Sequence, residues 1–593
     1  ASKAVILDSN KDYTGIRNLT ITGELDAATL DISGAIDVAG TSNLDVVDVD
    51  GAANFAADVT FANGADIITA SAGTSNVRVG VNAGNSIASG GNFNTVVGDE
   101  AGTAITTGDA NVAVGYTALD ANTTASGNTA IGFATLTANT TGDRNTALGQ
   151  SAMGANTVGD RSVGIGFQAL NAQNPSSNAD MYNTAVGYNA GTLVTTGVNN
   201  TLIGGLAGDA ATTAEAITAV GKSALSSNTT GNFNVAVGAI ALLDNTTGAS
   251  NVAVGLSALE NNTTASNNTA IGHESLKANT TGDVNVGVGS LSLDANTTGS
   301  SNVGVGVHSL GNNTTASNNT AVGHSSMITN TTGTRNVAVG ALSLDANTTA
   351  HDNTAIGYFA LSTNTTGANN TAVGRSSLGS NTTGADNTAM GRIALDDNTT
   401  GASNVAIGSS ALTTNTTASN NIAVGVSSLS LNTTGAANVA VGTNALKINT
   451  TANDNVAIGH DALQANTTGA LNTAVGTSAL NANTTAASNQ AFGRRALYTN
   501  TTGTENNAFG YLALLSNTSG DFNVGVGVNA LAANTTADNN VAIGTSALTT
   551  NVSGTRNTAV GTNAGKLNTA SDNVAIGFNA LDTNAGGSNN TAV

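Results

Sequence analysis

The sequence predicts an all-β protein: a parallel β-solenoid or β-roll of about thirty 17-residue coils, preceded by a short β-rich segment. Three observations carry that prediction. A 17-residue motif recurs along most of the chain, a glycine and a large apolar residue hold fixed places within it, and the composition is too poor in aromatics for one large globular core.

The motif reads N-[TV]-A-[VI]-G-x-x-A-L-x-x-N-T-T-G-x-x. Copies start at Asn76, Asn94, Asn111, Asn128 and Asn145, and from Asn183 to Asn557 the register holds without a slip, with Ile217 once in place of the leading Asn. The spacing is 18 from Asn76 to Asn94, 21 from Ser162 to Asn183 and 16 from Asn557 to Asn573, and a copy starting at Asn590 stops at Val593. In all thirty complete copies unit position 4 is a large apolar residue and position 5 is Gly.

A helix is excluded as the fold of one copy. β-Branched residues at positions 2 and 4, a fixed Gly and a closing Asn-Thr-Thr-Gly are each poor helix formers. A strand at positions 1–5, a bend at the glycine, a second strand near 7–11 and a turn at 12–16 make one coil of a parallel solenoid. The glycine is expected to supply a backbone angle or a close approach that a Cβ would block. Asn and Thr suit the turn, and stacked coils would align the position-12 asparagines into an amide ladder.

Successive strand side chains point to opposite faces. Position 3 is Ala or Gly in nearly every copy, which fits the inside of a flat coil beside the common Ala of position 8. Positions 2 and 4 then face outward as an apolar stripe larger than a soluble monomer normally shows. A homotrimer with the stripes meeting on its axis is the simplest closed solution. The inverse arrangement, with 2 and 4 inside, would permit a monomer.

The strands "NTAVG", "NVAIG" and "NVAVG", each followed by a small residue and a return segment, resemble the head repeats of YadA-like trimeric autotransporter adhesins over residues 76–593. The resemblance implies a left-handed, trimeric parallel β-roll. The unit here is longer than the usual head repeat, and the extra length sits in the Asn-Thr-Thr-Gly turn. Similar arrays occur in phage tail fibres. Residues 1–75 lack the unit but carry Leu19-Thr-Ile-Thr-Gly23, Leu30-Asp-Ile-Ser-Gly34, Ile36-Asp-Val-Ala-Gly40 and Val47-Asp-Val-Asp-Gly51. Such alternation reads as short half-buried strands, and it is similar to tail-fibre shafts. The coiled-coil stalk and membrane anchor of an autotransporter do not occur in this chain. Together these tilt the expectation toward an extracellular tail-fibre shaft that projects a receptor-binding tip beyond Val593. A bacterial adhesin binding through the solenoid wall is the alternative. The start at Ala1 and the end in mid-motif suggest a piece of something longer.

The implied partners are further copies of the chain, a host-surface receptor or glycan, and virion or surface structural proteins joined at the N-terminus. A net charge of −21 disfavours nucleic acid, and no apolar run approaches the length of a membrane span. The absence of Cys excludes a disulfide framework.

No residue grouping points to catalysis or to a cofactor. Asp45, Asp48 and Asp50 before Gly51 invite a cation reading but lack the ligand pattern of an EF-hand loop, so they read as a polar strand face. His273, His324 and His460 share unit position 6 three or more coils apart, His308 and His351 sit elsewhere, and all five read as solvated. Gly287-Val-Gly289 has neither the third Gly nor the helix of a nucleotide loop. The Asn-Thr-Thr triplets match the glycosylation acceptor, but their place at a structural turn favours the ladder. Adjacent Thr at positions 13 and 14 should diverge, which disfavours a flat ice-binding face. Position 6 is among the most variable, and Tyr116, Phe133, Phe167, Tyr188, Tyr358, Tyr511 and Phe578 there are candidate surface contacts. The insertion at Asn171–Tyr182 with Pro175 is expected to bulge from one coil as a tolerated loop or, less favoured, a contact loop.

Overall fold

The coil beginning at Asn251 shows how one unit closes. The structure is a computed structural model that describes residues 72–593. The Asn251 N–H donates to the side-chain Oδ1 of Asn234 in the preceding coil at 2.9 Å, so the backbone ladder starts one residue later. The strand is Val252–Val254. Gly255 ends it at φ +137°, a region reserved for glycine, and a Cβ there would stand 2.5 Å from the Gly272 carbonyl oxygen of the next coil. Both expected reasons for this glycine hold together.

Stacking follows from repetition. Val235, Ala236 and Val237 pair in parallel with Val252, Ala253 and Val254, and the same in-register pairing runs through a 31-stranded sheet. It survives the units of irregular length: Val77 pairs with Thr95, Val163 with Thr184 and Thr558 with Val574. The expected parallel β-solenoid of 17-residue coils is therefore the fold of this region.

The expected second strand is absent. Ser257 and Leu259, at unit positions 7 and 9, take left-handed φ values of 57° and 51°, and the same two positions do so in coil after coil. An extended strand would send Ala258 and Leu259 to opposite faces. The alternating backbone instead turns both inward, each fully buried. Hydrogen bonding along the axis persists without strand geometry: the Ser257 N–H donates to Ala239 O of the coil before, and the Leu259 and Asn261 N–H groups donate to Ser275 and Lys277 carbonyls of the coil after.

The interior of the coil holds Asn251, Ala253, Ala258, Leu259, Asn262 and Ala265, all buried. Ala at position 3 lies inside and the Val residues at 2 and 4 point out, so the inverse arrangement is overturned.

The insertion does bulge, and it is pinned. Gly159–Asp160 pairs in parallel with Ala179–Asp180, Met181 is fully buried, and Arg161 forms an ion pair with Asp180. The Tyr182 hydroxyl donates to Asp180 at 3.2 Å, and the Arg161 guanidinium lies 5.9 Å from the Tyr182 ring centre. Pro175 is buried while Ser176, Ser177 and Asn178 are exposed.

Candidate functional site

The largest outward feature is the stripe formed by unit positions 2 and 4. The sheet is only one strand thick on this side, so these side chains have no covering layer. Ile271 and Ile543 are each 41% exposed, and Val, Thr and Ile repeat the pattern from coil to coil. The large apolar side chains of position 4, in line along the described array, form a surface suited to association.

The display residues of position 6 follow the glycine and sit at the corner of the coil. Tyr116, Phe133, Tyr188, Tyr358, Tyr511 and Phe578 are exposed, whereas Phe167 is half-buried. They do not converge on one site. The structure joins only neighbours: Tyr116 stacks on Phe133 with ring centres 5.6 Å apart, and Phe167 on Tyr188 at 5.3 Å. Tyr358 meets Phe359 edge-on at 4.2 Å, and Arg494 lies 5.8 Å from the Tyr511 ring centre.

Two groups of residues escaped sequence reasoning. Phe93, Phe233, Leu471 and Phe522, each the last residue of its copy, are half-exposed or more, set outward by a left-handed backbone. Their signal was the run of Asn, Asp and Ser at that position, residues that tolerate or accompany such a backbone. The second group is a further amide ladder at unit position 1. The Asn438 N–H donates to Asn421 Oδ1 at 3.0 Å, and the Asn438 side-chain amide donates to the Ala452 carbonyl at 2.8 Å.

The position-12 ladder expected from the repeat is present. Asn245 donates to Asn228 Oδ1 at 2.7 Å, Asn262 to Asn245 at 2.7 Å and Asn279 to Asn262 at 2.9 Å, each also donating to a carbonyl three residues on. These asparagines are the acceptors of the Asn-Thr-Thr triplets, and they are fully buried with their amide nitrogens engaged. A sugar attached there would replace one of the two donating N–H groups and find no room in the packed interior, so the folded solenoid excludes modification at these sites. The paired threonines diverge: Thr263 is half-buried and its hydroxyl donates to the Thr280 carbonyl at 3.1 Å, while Thr264 is exposed.

Titratable groups are scattered. His273, His324, His351 and His460 are exposed and His308 is half-buried. Among the described residues no group of three or more His, Asp or Glu could hold a metal ion. Asp45, Asp48 and Asp50 lie outside the described residues. At unit position 10, burial pushes the carboxyls of Asp294, Asp345 and Asp396 above the usual range, and Asp345 Oδ1 is buried without a hydrogen-bond partner. Hydrogen bonding to Arg335 holds Asp352 below it. These are isolated events on different coils, and none is joined to a nucleophile.

A comparison with known proteins finds no protein-family model and no curated protein that the chain matches.

Proposed function

We propose that this chain is a structural fibre, a spacer whose work is reach and display rather than chemistry. The observation that carries this reading is the uninterrupted in-register ladder with an uncovered apolar stripe along one side. Thirty coils at a rise of about 4.8 Å extend roughly 140 Å. Such an array gains length by adding identical units, each stabilised chiefly by its neighbours.

In the finer reading, three chains bring their stripes together on a common axis. The fibre is extracellular and projects from a virion tail, holding a tip that engages a receptor or glycan of the host surface. Other structural proteins attach it at the N-terminal end. The exposed aromatics of position 6 favour a second role, contact through the solenoid wall, which is the part a bacterial surface adhesin would use.

The test is the native mass of the full chain by light scattering, with rotary-shadowed electron microscopy for length. Three chains per particle and a rod at least as long as the solenoid are expected. One chain per particle would overturn the trimer.

A further inference from the structure

An array this regular faces a difficulty when it assembles with copies of itself. Sliding one chain past another by one coil places Val, Thr or Ile against Val, Thr or Ile again, and it uncovers only the contacts of the terminal coils. The stripe therefore supplies attraction but little register.

The stripe is broken in one place. Across the described coils, position 2 is Val, Thr or Ile and position 4 is Val, Ile, Leu148 or Met390, except in the adjacent coils that begin at Asn489 and Asn506. There position 2 is Gln490 and Asn507, and position 4 is Phe492 and Phe509. Gln490 and Asn507 are paired in the ladder, as are Phe492 and Phe509. The two rings stack with centres 4.8 Å apart at 7°, and Phe509 is 40% exposed. Both amides are half-exposed on the outward face, and neither side chain hydrogen-bonds a described residue. Four departures from the consensus fall on one outward patch two coils high.

We infer that this patch is a register mark for self-assembly, and that its partner is the same patch on the other copies of the chain. The inference rests on the trimeric reading above. In register, the phenyl rings of all chains meet at one level and the amides meet amides. A slip of one coil sets the Asn507 amide against Val524 and leaves its hydrogen-bonding groups unpaired in the interface, which is costly where a matched pair is not, while Gln490 then faces Thr473. Two coils of Phe also fill a width that Val leaves open, so displaced chains cannot close around them. A single polar residue in an otherwise apolar seam fixes the alignment of coiled coils by the same physics.

The chain has no Cys, so introduced thiols report register directly. Val254→Cys and Ile271→Cys, one coil apart on the stripe and far from the patch, are placed in separate chains of different tag mass. The chains are co-expressed at full length and oxidised. In the unaltered background same-residue disulfides are expected to dominate, with 254–271 disulfides near background. In the variant Gln490→Val, Phe492→Val, Asn507→Val and Phe509→Val, which restores a residue common elsewhere at each position, the 254–271 disulfides are expected to rise to a level comparable with the same-residue ones. Native mass should not change. An unchanged disulfide pattern at trimer mass would overturn the register mark and leave the trimer standing. A single-chain mass would overturn the trimer, and a trimer with no interchain disulfide at either residue would take the stripe out of the interface; both remove the mark with it.

Discussion

The solenoid fills one cross-section in two ways. In the regular coil of Asn251, unit position 9 is Leu259 and position 12 is Asn262. In the coils of Asn94, Asn183 and Asn200, position 9 is Gly102, Gly191 or Gly208, and position 12 is Ile105, Val194 or Ala211. The backbone does not register the exchange: φ is 51° at Leu259 and 56°, 59° and 56° at the three glycines. The coil imposes the left-handed turn, and the side chain adapts to it. The vacated volume is refilled from elsewhere. A Cβ on Gly102 would lie 2.7 Å from Val96 and 2.8 Å from Ile105, and one on Gly191 would lie 2.5 Å from Leu202. What these three coils give up is the position-12 amide rung, which the coil of Asn557 keeps beside its own Gly565, with Asn584 donating to Asn568 Oδ1 at 3.1 Å. The position-1 ladder passes through them intact, with Asn111 N donating to Asn94 Oδ1 at 3.0 Å and Asn200 N to Asn183 Oδ1 at 3.0 Å. Interior volume is thus the constant of the fold: these coils drop the position-12 rung, and the position-1 ladder is itself interrupted where Ser162 and Ile217 replace the asparagine.

If Leu at position 9 is the principal apolar mass of a regular coil, its removal should cost most. Leu412→Ala, at a fully buried position, is expected to destabilise the surrounding coils by about 2–5 kcal/mol. Hydrogen exchange should place the loss in the coils adjoining Asn404, because coupling in such an array is between neighbours. A uniform loss across the whole solenoid would contradict that picture. A smaller effect, about 1–3 kcal/mol of overpacking, is expected from putting the leucine where glycine now sits, in Gly102→Leu. Adding Val96→Ala and Ile105→Asn to that variant converts the coil to the regular form and extends the amide ladder below Asn122. The triple variant should recover the loss in thermal melting, and failure to do so would show that the two packings are not exchangeable.

Much of this was legible in the sequence, because a period of 17 residues averages away the noise of any one copy. The strand, the inward Ala, the outward Val/Ile stripe and the position-12 ladder all follow from side-chain alternation and turn chemistry. The position-1 ladder was equally readable, since alternation that sends Ala253 inward sends Asn251 inward too. The return segment was not. Ser257-Ala258-Leu259 shows no sign of left-handed angles in residue type, because Leu disfavours them, and the angles are imposed by closing a coil in 17 residues around neighbours that accept its hydrogen bonds. The half-burial of Phe167 was hidden for a related reason. Its stacking partner is Tyr188, 21 residues on, across the insertion rather than at the regular spacing.

The sharpest test of the comparison is also its smallest effect. A leucine in the left-handed region carries a backbone penalty of roughly 1–2 kcal/mol that glycine does not. In most element interiors Leu→Gly costs more than Leu→Ala, by about 0.5–1 kcal/mol, because glycine has more freedom to lose. At Leu412, with φ at 51°, alanine keeps the penalty and glycine sheds it. Leu412→Gly should therefore be no less stable than Leu412→Ala, and more stable by up to about 1 kcal/mol, in denaturant melts of the full chain. The ordinary order, with Ala the better residue, would mean that the angle belongs to leucine's packing and relaxes once leucine is gone. The inverted order would mean that the coil holds the angle whatever residue occupies it, and that the glycine coils show the backbone at rest.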